Sequence, residues 1–90
     1  YNEDELLAIF KKMASKDNYT LSPAAEFKLM DLICRKVVSK SDSFGNAREM
    51  RNMLDETIQQ LSVRVSGMKQ NEITQETYQM ILPEDIKDEI

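Results

Sequence analysis

The chain is 90 residues long and 41% apolar, enough for one domain with a single modest core. Its formal charge of −4 is unevenly spread, because residues 71–90 hold six acids and only Lys87, whereas residues 11–70 hold eleven bases against seven acids; no dense cationic face results, so nucleic acid is not a favoured partner. One cysteine, Cys34, and no histidine exclude an internal disulfide and leave a zinc site with a single soft ligand, so no metal site is expected.

The first element is signalled by Asn2-Glu3-Asp4-Glu5, a cap residue followed by three acids at the positive end of a helix dipole. Leu6, Ile9, Phe10 and Met13 then recur at helical spacing, with Lys11, Lys12 and Lys16 on the outer side and at the end. A chain that opens on a capped helix, with Tyr1 just ahead of it, reads as cut at a domain boundary; the alternative is that Tyr1 simply begins a complete protein. Residues 17–21 carry no helical period and are expected to be locally extended, without a second strand to pair with. Ser22-Pro23 is a cap followed by a proline at the first helical position, which starts a second helix running to about Val38. Ala25, Leu29, Leu32 and Ile33 line one side of it, and Phe27, Met30, Cys34 and Val37 spread its apolar surface toward another, so this is expected to be the most buried helix. Cys34 in such a stripe reads as a small hydrophobe rather than a reactive thiol. Arg35, Lys36 and Lys40 sit where helix-end cations belong and need no ligand.

Ser39 to Gly45 is the longest break. With Gly45 at the sixth position of an EF-hand loop, Lys40, Asp42 and Arg51 would be the first, third and twelfth residues, and two of these have the wrong charge, so calcium is excluded. Asn46 is an N-cap residue, Glu49 completes an N-x-x-E capping box, and Phe44 can pack on Met50 as a hydrophobic staple. The third helix is predicted from Ala47 to about Ser66, ending at Gly67 as a left-handed terminator. Its apolar stripe is Met50, Leu54, Ile58, Leu61 and Val65; Gln59, Gln60, Ser62 and Arg64 face outward. Arg51 and Asp55, four apart, can pair. Arg48 lies well round from the stripe, and a cation in the first turn opposes the helix dipole by ~0.3–1 kcal/mol, which an anion could relieve; composition alone favours a solvated arginine. Ile73-Thr74 open a shorter helix in which Tyr78 and Ile81 or Leu82 dock before Pro83 interrupts it. Pro83-Glu84-Asp85-Ile86 reads as a last helical turn whose carboxylates, like Asp88 and Glu89, are solvated charge rather than acid/base groups.

These signals predict an all-α fold, a small bundle of four helices with at most a short fifth, with Leu29, Leu32, Ile33, Leu54, Ile58 and Leu61 in the core. A two-stranded sheet is not expected. No apolar run approaches the ~20 residues of a membrane span and no charged-then-apolar leader is present, so the expectation is a cytoplasmic protein with no membrane partner. Gly45 and Gly67 are the only glycines, so there is no G-x-x-x-x-G-K-[ST] loop, and without a phosphate cradle this chain cannot hydrolyse ATP by itself. The lack of histidine also removes the usual nucleophile–base pairs.

The run Gly45-Asn46-Ala47-Arg48, followed by Arg51-Asn52, resembles the sensor-2 motif that opens a helix of the C-terminal lid in AAA+ ATPases. Its N-A-R-x-x-R-N pattern is similar to that of the branch containing the stage V sporulation protein K family, red-type rubisco activase and the type VII secretion ATPases. Tyr1, Glu5-Leu6, Ile9-Phe10, Met13 and Tyr19-Thr20-Leu21-Ser22 resemble the segment leading those lids; the resemblance covers most of residues 1–66 and is weaker beyond. It implies that residues 1–90 are a single helical lid domain, a fragment of a larger ATPase. It also implies that Arg48 meets the phosphates of ATP, with Asn46 and Gly45 in the same binding turn, and that ATP and Mg serve the parent protein while none is bound by the fragment alone. The implied partners are an N-terminal nucleotide-binding domain and neighbouring subunits of a homo-oligomeric ring, between which the lid transmits nucleotide state in chaperone-like remodelling. Arg51 is assigned to structure or to an interface rather than to phosphate. The competing reading is an unrelated all-helical adaptor that binds another protein through its six methionines.

Overall fold

A computed structural model describes residues 2–39 and 47–87. Four α-helices appear in order: α1 (Glu3–Lys16), α2 (Pro23–Ser39), α3 (Ala47–Ser66) and α4 (Gln75–Gln79). Two-residue strands, β1 (Thr20–Leu21) and β2 (Met80–Ile81), and two 3-10 turns, Gln70–Glu72 and Pro83–Asp85, complete the elements among the described residues. Helix starts obey local chemistry. The Asn2 carbonyl oxygen Oδ1 accepts from the Glu5 N–H at 2.8 Å while Glu5 Oε1 accepts from the Asn2 N–H at 2.9 Å, a reciprocal box that satisfies otherwise orphaned donors. Ser22 Oγ accepts from the Ala25 N–H at 3.1 Å ahead of Pro23, and Thr74 Oγ1 from the Thr77 N–H at 3.3 Å. The capping box of Asn46 with Glu49, the Phe44 staple and the Asp88-Glu89 pair involve positions outside the described residues.

The core joins one stripe from each long helix: Leu6, Phe10 and Ala14 of α1, Ala25, Leu29, Leu32 and Ile33 of α2, and Met50, Met53, Leu54 and Leu61 of α3. Of the predicted core residues only Ile58 is partly exposed, though it still packs against the cluster. Asp4 and Leu7 lie beside Phe27 and Met30 while Lys11 pairs with Glu26 at 3.1 Å, so α1 and α2 run antiparallel. Thr57, buried on the inner face of α3, satisfies its hydroxyl by donating to the Met53 carbonyl at 2.7 Å. No helix among the described residues is long and apolar enough to cross a membrane.

The all-α class holds, and four local expectations are corrected. First, β1 does find a partner: Thr20 pairs with Met80 and Leu21 with Ile81 in parallel register, and the Ser22 N–H donates to the Ile81 carbonyl at 3.0 Å. The predicted helix before Pro83 therefore stops at Gln79; Ile81 is buried, but from a strand, and Tyr78 stays 45% exposed instead of docking. Second, Gly67 is not left-handed. The end of α3 tightens through i→i+3 bonds, Gly67 N–H to Arg64 O at 3.2 Å and Met68 N–H to Val65 O at 3.0 Å, which satisfy the last carbonyls without a positive φ. The left-handed residue is Asn18, φ 68°, just beyond α1; asparagine is among the few non-glycine residues that tolerate it.

Third, Asp85 is not solvated, and fourth, Arg64 does not face outward. Asp85 is 1% exposed. Its Oδ1 accepts from Arg64 Nε at 2.9 Å, and its Oδ2 from Arg64 Nη2 at 3.0 Å and from the Leu82 N–H at 2.9 Å. Arg64 Nη2 also reaches the Met80 carbonyl at 3.1 Å. The hydrogen bond to Asp85, opposed by desolvation, pushes the Arg64 pKa above its ordinary value, so the guanidinium is held charged. Lys28 Nζ adds a bond to the Pro83 carbonyl at 2.9 Å. Arg64→Ala should cost about 3 kcal/mol or more in chemical denaturation, because it strands a buried carboxylate; an effect below about 1 kcal/mol, the ordinary range of an exposed pair, would show the pair to be dispensable.

Candidate functional site

The site is built on the first two turns of α3, where the apolar stripe beginning at Met50 turns inward and carries the opposite face into solvent. Arg48 is exposed there and, among the described residues, makes no hydrogen bond or ion pair. A cation in the first turn of a 20-residue helix sits against the positive end of the dipole, an arrangement that an anion relieves.

Arg51, one turn further, is in the opposite situation. Its Nη1 donates to Asp17 Oδ2 at 3.2 Å and its Nη2 to Asp55 Oδ1 at 3.0 Å. The Asp17 hydrogen bond, then the charge of Asp55, raise its pKa above the usual arginine value. The Asp55 pair is legible from spacing. Asp17 lies 34 residues away, beyond any periodic signal, and was not anticipated. Asp17 is presented by a tight turn in which its own N–H bonds to the Met13 and Ala14 carbonyls at 3.2 and 3.1 Å, and the Tyr19 N–H returns to the Ala14 carbonyl at 2.7 Å.

Of the candidate residues, then, Arg48 and Arg51 are brought to one helical face, and Arg51 is committed to two carboxylates while Arg48 is not. Gly45 and Asn46 lie outside the described residues. Cys34 is half-buried in the second apolar stripe of α2. Among the described residues no group of three or more His, Cys, Asp or Glu is placed to hold a metal ion. A shallow cleft between α1 and α2, lined by Asp4, Leu7, Pro23, Glu26, Phe27 and Met30, leaves Phe27 83% exposed but gathers no converging donors. Among the described residues the geometry thus offers the exposed Arg48 guanidinium at a helix start.

Residues 2–90 match the family described as the AAA lid domain. Among curated proteins, the chain is similar to "Protein CfxQ homolog" of Guillardia theta, with 33% identity over 86 residues that make up 96% of this chain and 29% of that protein. It is also similar to "Protein CfxQ" of Xanthobacter flavus, with 35% identity over 65 residues, 72% of this chain and 20% of that one. The chain thus spans less than a third of the length of these relatives, which belong to the branch that the N-A-R-x-x-R-N pattern resembles.

The exposure of Arg48 sets an expectation for stability. Arg48→Ala should shift the unfolding free energy of the chain by no more than about 0.5 kcal/mol, whereas Leu54→Ala, which empties a fully buried position, should cost about 2–5 kcal/mol. Urea titration of both variants checks the contrast; comparable losses would place Arg48 in the core's support and not at a free surface.

Proposed function

The chain belongs to the AAA lid domain family, and from that membership we propose that it is the lid of an AAA+ ATPase, in which Arg48 is the sensor-2 arginine that reads the phosphates of ATP. The observation that carries this reading is the contrast between Arg48 and its neighbour: two arginines share one helical face, and among the described residues only Arg48 has no carboxylate partner. A guanidinium presents a planar fork of donors suited to phosphate oxygens, and a helix start adds a favourable dipole for an anion. The residues present therefore fit one phosphate contact, and they fit no more than one. Binding of the base, the metal ion and the attacking water must come from an N-terminal nucleotide-binding domain of the parent protein.

In this reading the domain's own contribution is orientation and charge. Arg48 offsets negative charge on the nucleotide when the lid is closed, and loses that contact when the lid opens, so closure is favoured by occupancy. Magnesium, held by the partner domain, would supply the larger share of charge neutralisation. Neighbouring subunits of a ring would feel the closure through the lid's outer surface. The alternative of a methionine-based adaptor has less to work with: Met50 and Met53 are buried and Met13, Met30, Met68 and Met80 are half-buried, so no methionine among the described residues forms an exposed stripe.

Arg48→Ala in the full-length protein should lower ATP turnover or nucleotide affinity by roughly ten- to a few hundred-fold, the ~1–3 kcal/mol of one charge-assisted contact in a partly dry site. Unchanged steady-state turnover and unchanged nucleotide affinity would reject the assignment. The 90-residue chain alone should bind ATP no more tightly than millimolar, since a single contact of ~1–3 kcal/mol supports no better; micromolar binding by calorimetry would contradict the one-contact reading.

A further inference from the structure

Arg48 and Arg51 are three residues apart on α3, about 4.5 Å along the axis and on the same face, so either one would reach an anion that arrives there. What separates them is their surroundings. Arg51 is held by Asp55 of its own helix and by Asp17 of the turn that ends α1. Asp17 is itself fixed by backbone bonds to Met13 and Ala14, and the chain leaves it through the left-handed Asn18 directly into β1. β1 pairs with β2, and the Met80 carbonyl of β2 accepts from Arg64 near the other end of α3. α3 is thus tied near both ends to one continuous path, and the Asp17–Arg51 contact closes the loop at the end that carries Arg48.

Resting on the sensor-2 reading of Arg48, we infer that Arg51 is a positioning residue which, through Asp17, braces the first turns of α3 against the α1–β1 turn and so aims Arg48, and that it is not a second phosphate ligand. Two carboxylates flank its guanidinium and more than offset its charge, so an approaching phosphate would have to displace one of them. Among the described residues no carboxylate has to be displaced from Arg48. Because a displacement of about 1 Å in a positioning contact can cost as much as a hundred-fold in rate, a brace that only limits tilting of the helix start acts on the chemical step more than on nucleotide capture.

The test uses steady-state ATP hydrolysis by the full-length protein carrying Asp17→Asn, Arg51→Gln, Arg51→Lys and Arg48→Ala, with the melting temperature of each variant measured alongside. Asp17→Asn and Arg51→Gln should each lower kcat by about three- to thirty-fold with KM moved by less than about two-fold. Combining the two should be no worse than the more damaging single change, since both sever one link, and adding Asp17→Asn to Arg48→Ala should bring no further loss. Arg51→Lys keeps the charge but not the fork, and should fall between Arg51→Gln and the parent. All the variants should melt close to the parent protein. If Asp17→Asn and Arg51→Gln leave kcat within about two-fold of the parent while Arg48→Ala lowers it, the brace is wrong and the sensor reading stands; full additivity with Arg48→Ala, or a KM effect with kcat intact, would overturn the brace as well. If Arg48→Ala is itself without effect, the sensor reading fails and takes the brace with it.

Discussion

A carboxylate that is 1% exposed has to be compensated or the fold is lost, and Asp85 is compensated from two sides. Arg64 grips both of its oxygens and the Leu82 N–H adds a third donor. The segment that follows α3 consists of pieces too short to stand alone: a five-residue helix, a two-residue strand and two 3-10 turns. Arg64 gathers them by bonding the Met80 carbonyl and Asp85 at once. The ion pair itself is weak evidence for net stability, since desolvation of both partners offsets much of the attraction. What it specifies is a single placement of the segment, and that placement puts Ile81 and Ile86 into the core, where each buried aliphatic side chain contributes about 1.5–3 kcal/mol.

The same segment explains how the long helices form one body. The turn Pro83–Asp85 lies against both α2 and α3, with Lys28 bonded to the Pro83 carbonyl on one side and Arg64 to Asp85 on the other. α1 packs against both α2 and α3. The parallel pairing of β1 with β2 joins the turn after α1 to this C-terminal segment, so a residue near the start of the chain and one near its end are neighbours. α3 is the common support, and its ion pairs near the two ends have different surroundings: the buried Asp85 near one and the partly exposed Asp17–Arg51 pair near the other.

Three arginines on α3 therefore do three different things although the residue type is one. Arg64 is 20% exposed and bonded on most of its donors. Arg51 is 47% exposed and shared between two carboxylates. Arg48 is exposed and, among the described residues, unpaired. The location of acids along the chain decides which of these guanidiniums is already paired among the described residues.

How much of this was legible beforehand follows the range of the interactions involved. The start of α1 at Glu3, of α2 at Pro23 and of α3 at Ala47, and the stripe from Met50 to Leu61, depend on caps and on contacts between residues three or four apart, all of which lie within one window of sequence. The Arg51–Asp55 pair is of the same kind. Asp17 meets Arg51 from 34 residues away and Asp85 meets Arg64 from 21; β1 meets β2 across the whole core. None of these has a period, so Asp85 and Arg64 looked like ordinary surface charges and Met80–Ile81 like the end of a helix. The sequence by itself determined the three long helices, their apolar stripes and the exposure of Arg48, because those are settled by local hydrogen bonding and hydrophobic spacing. Only the tertiary structure decided which charges are buried, which arginine is already taken and how the last turns close the core, because those depend on which distant side chains packing brings within hydrogen-bonding reach.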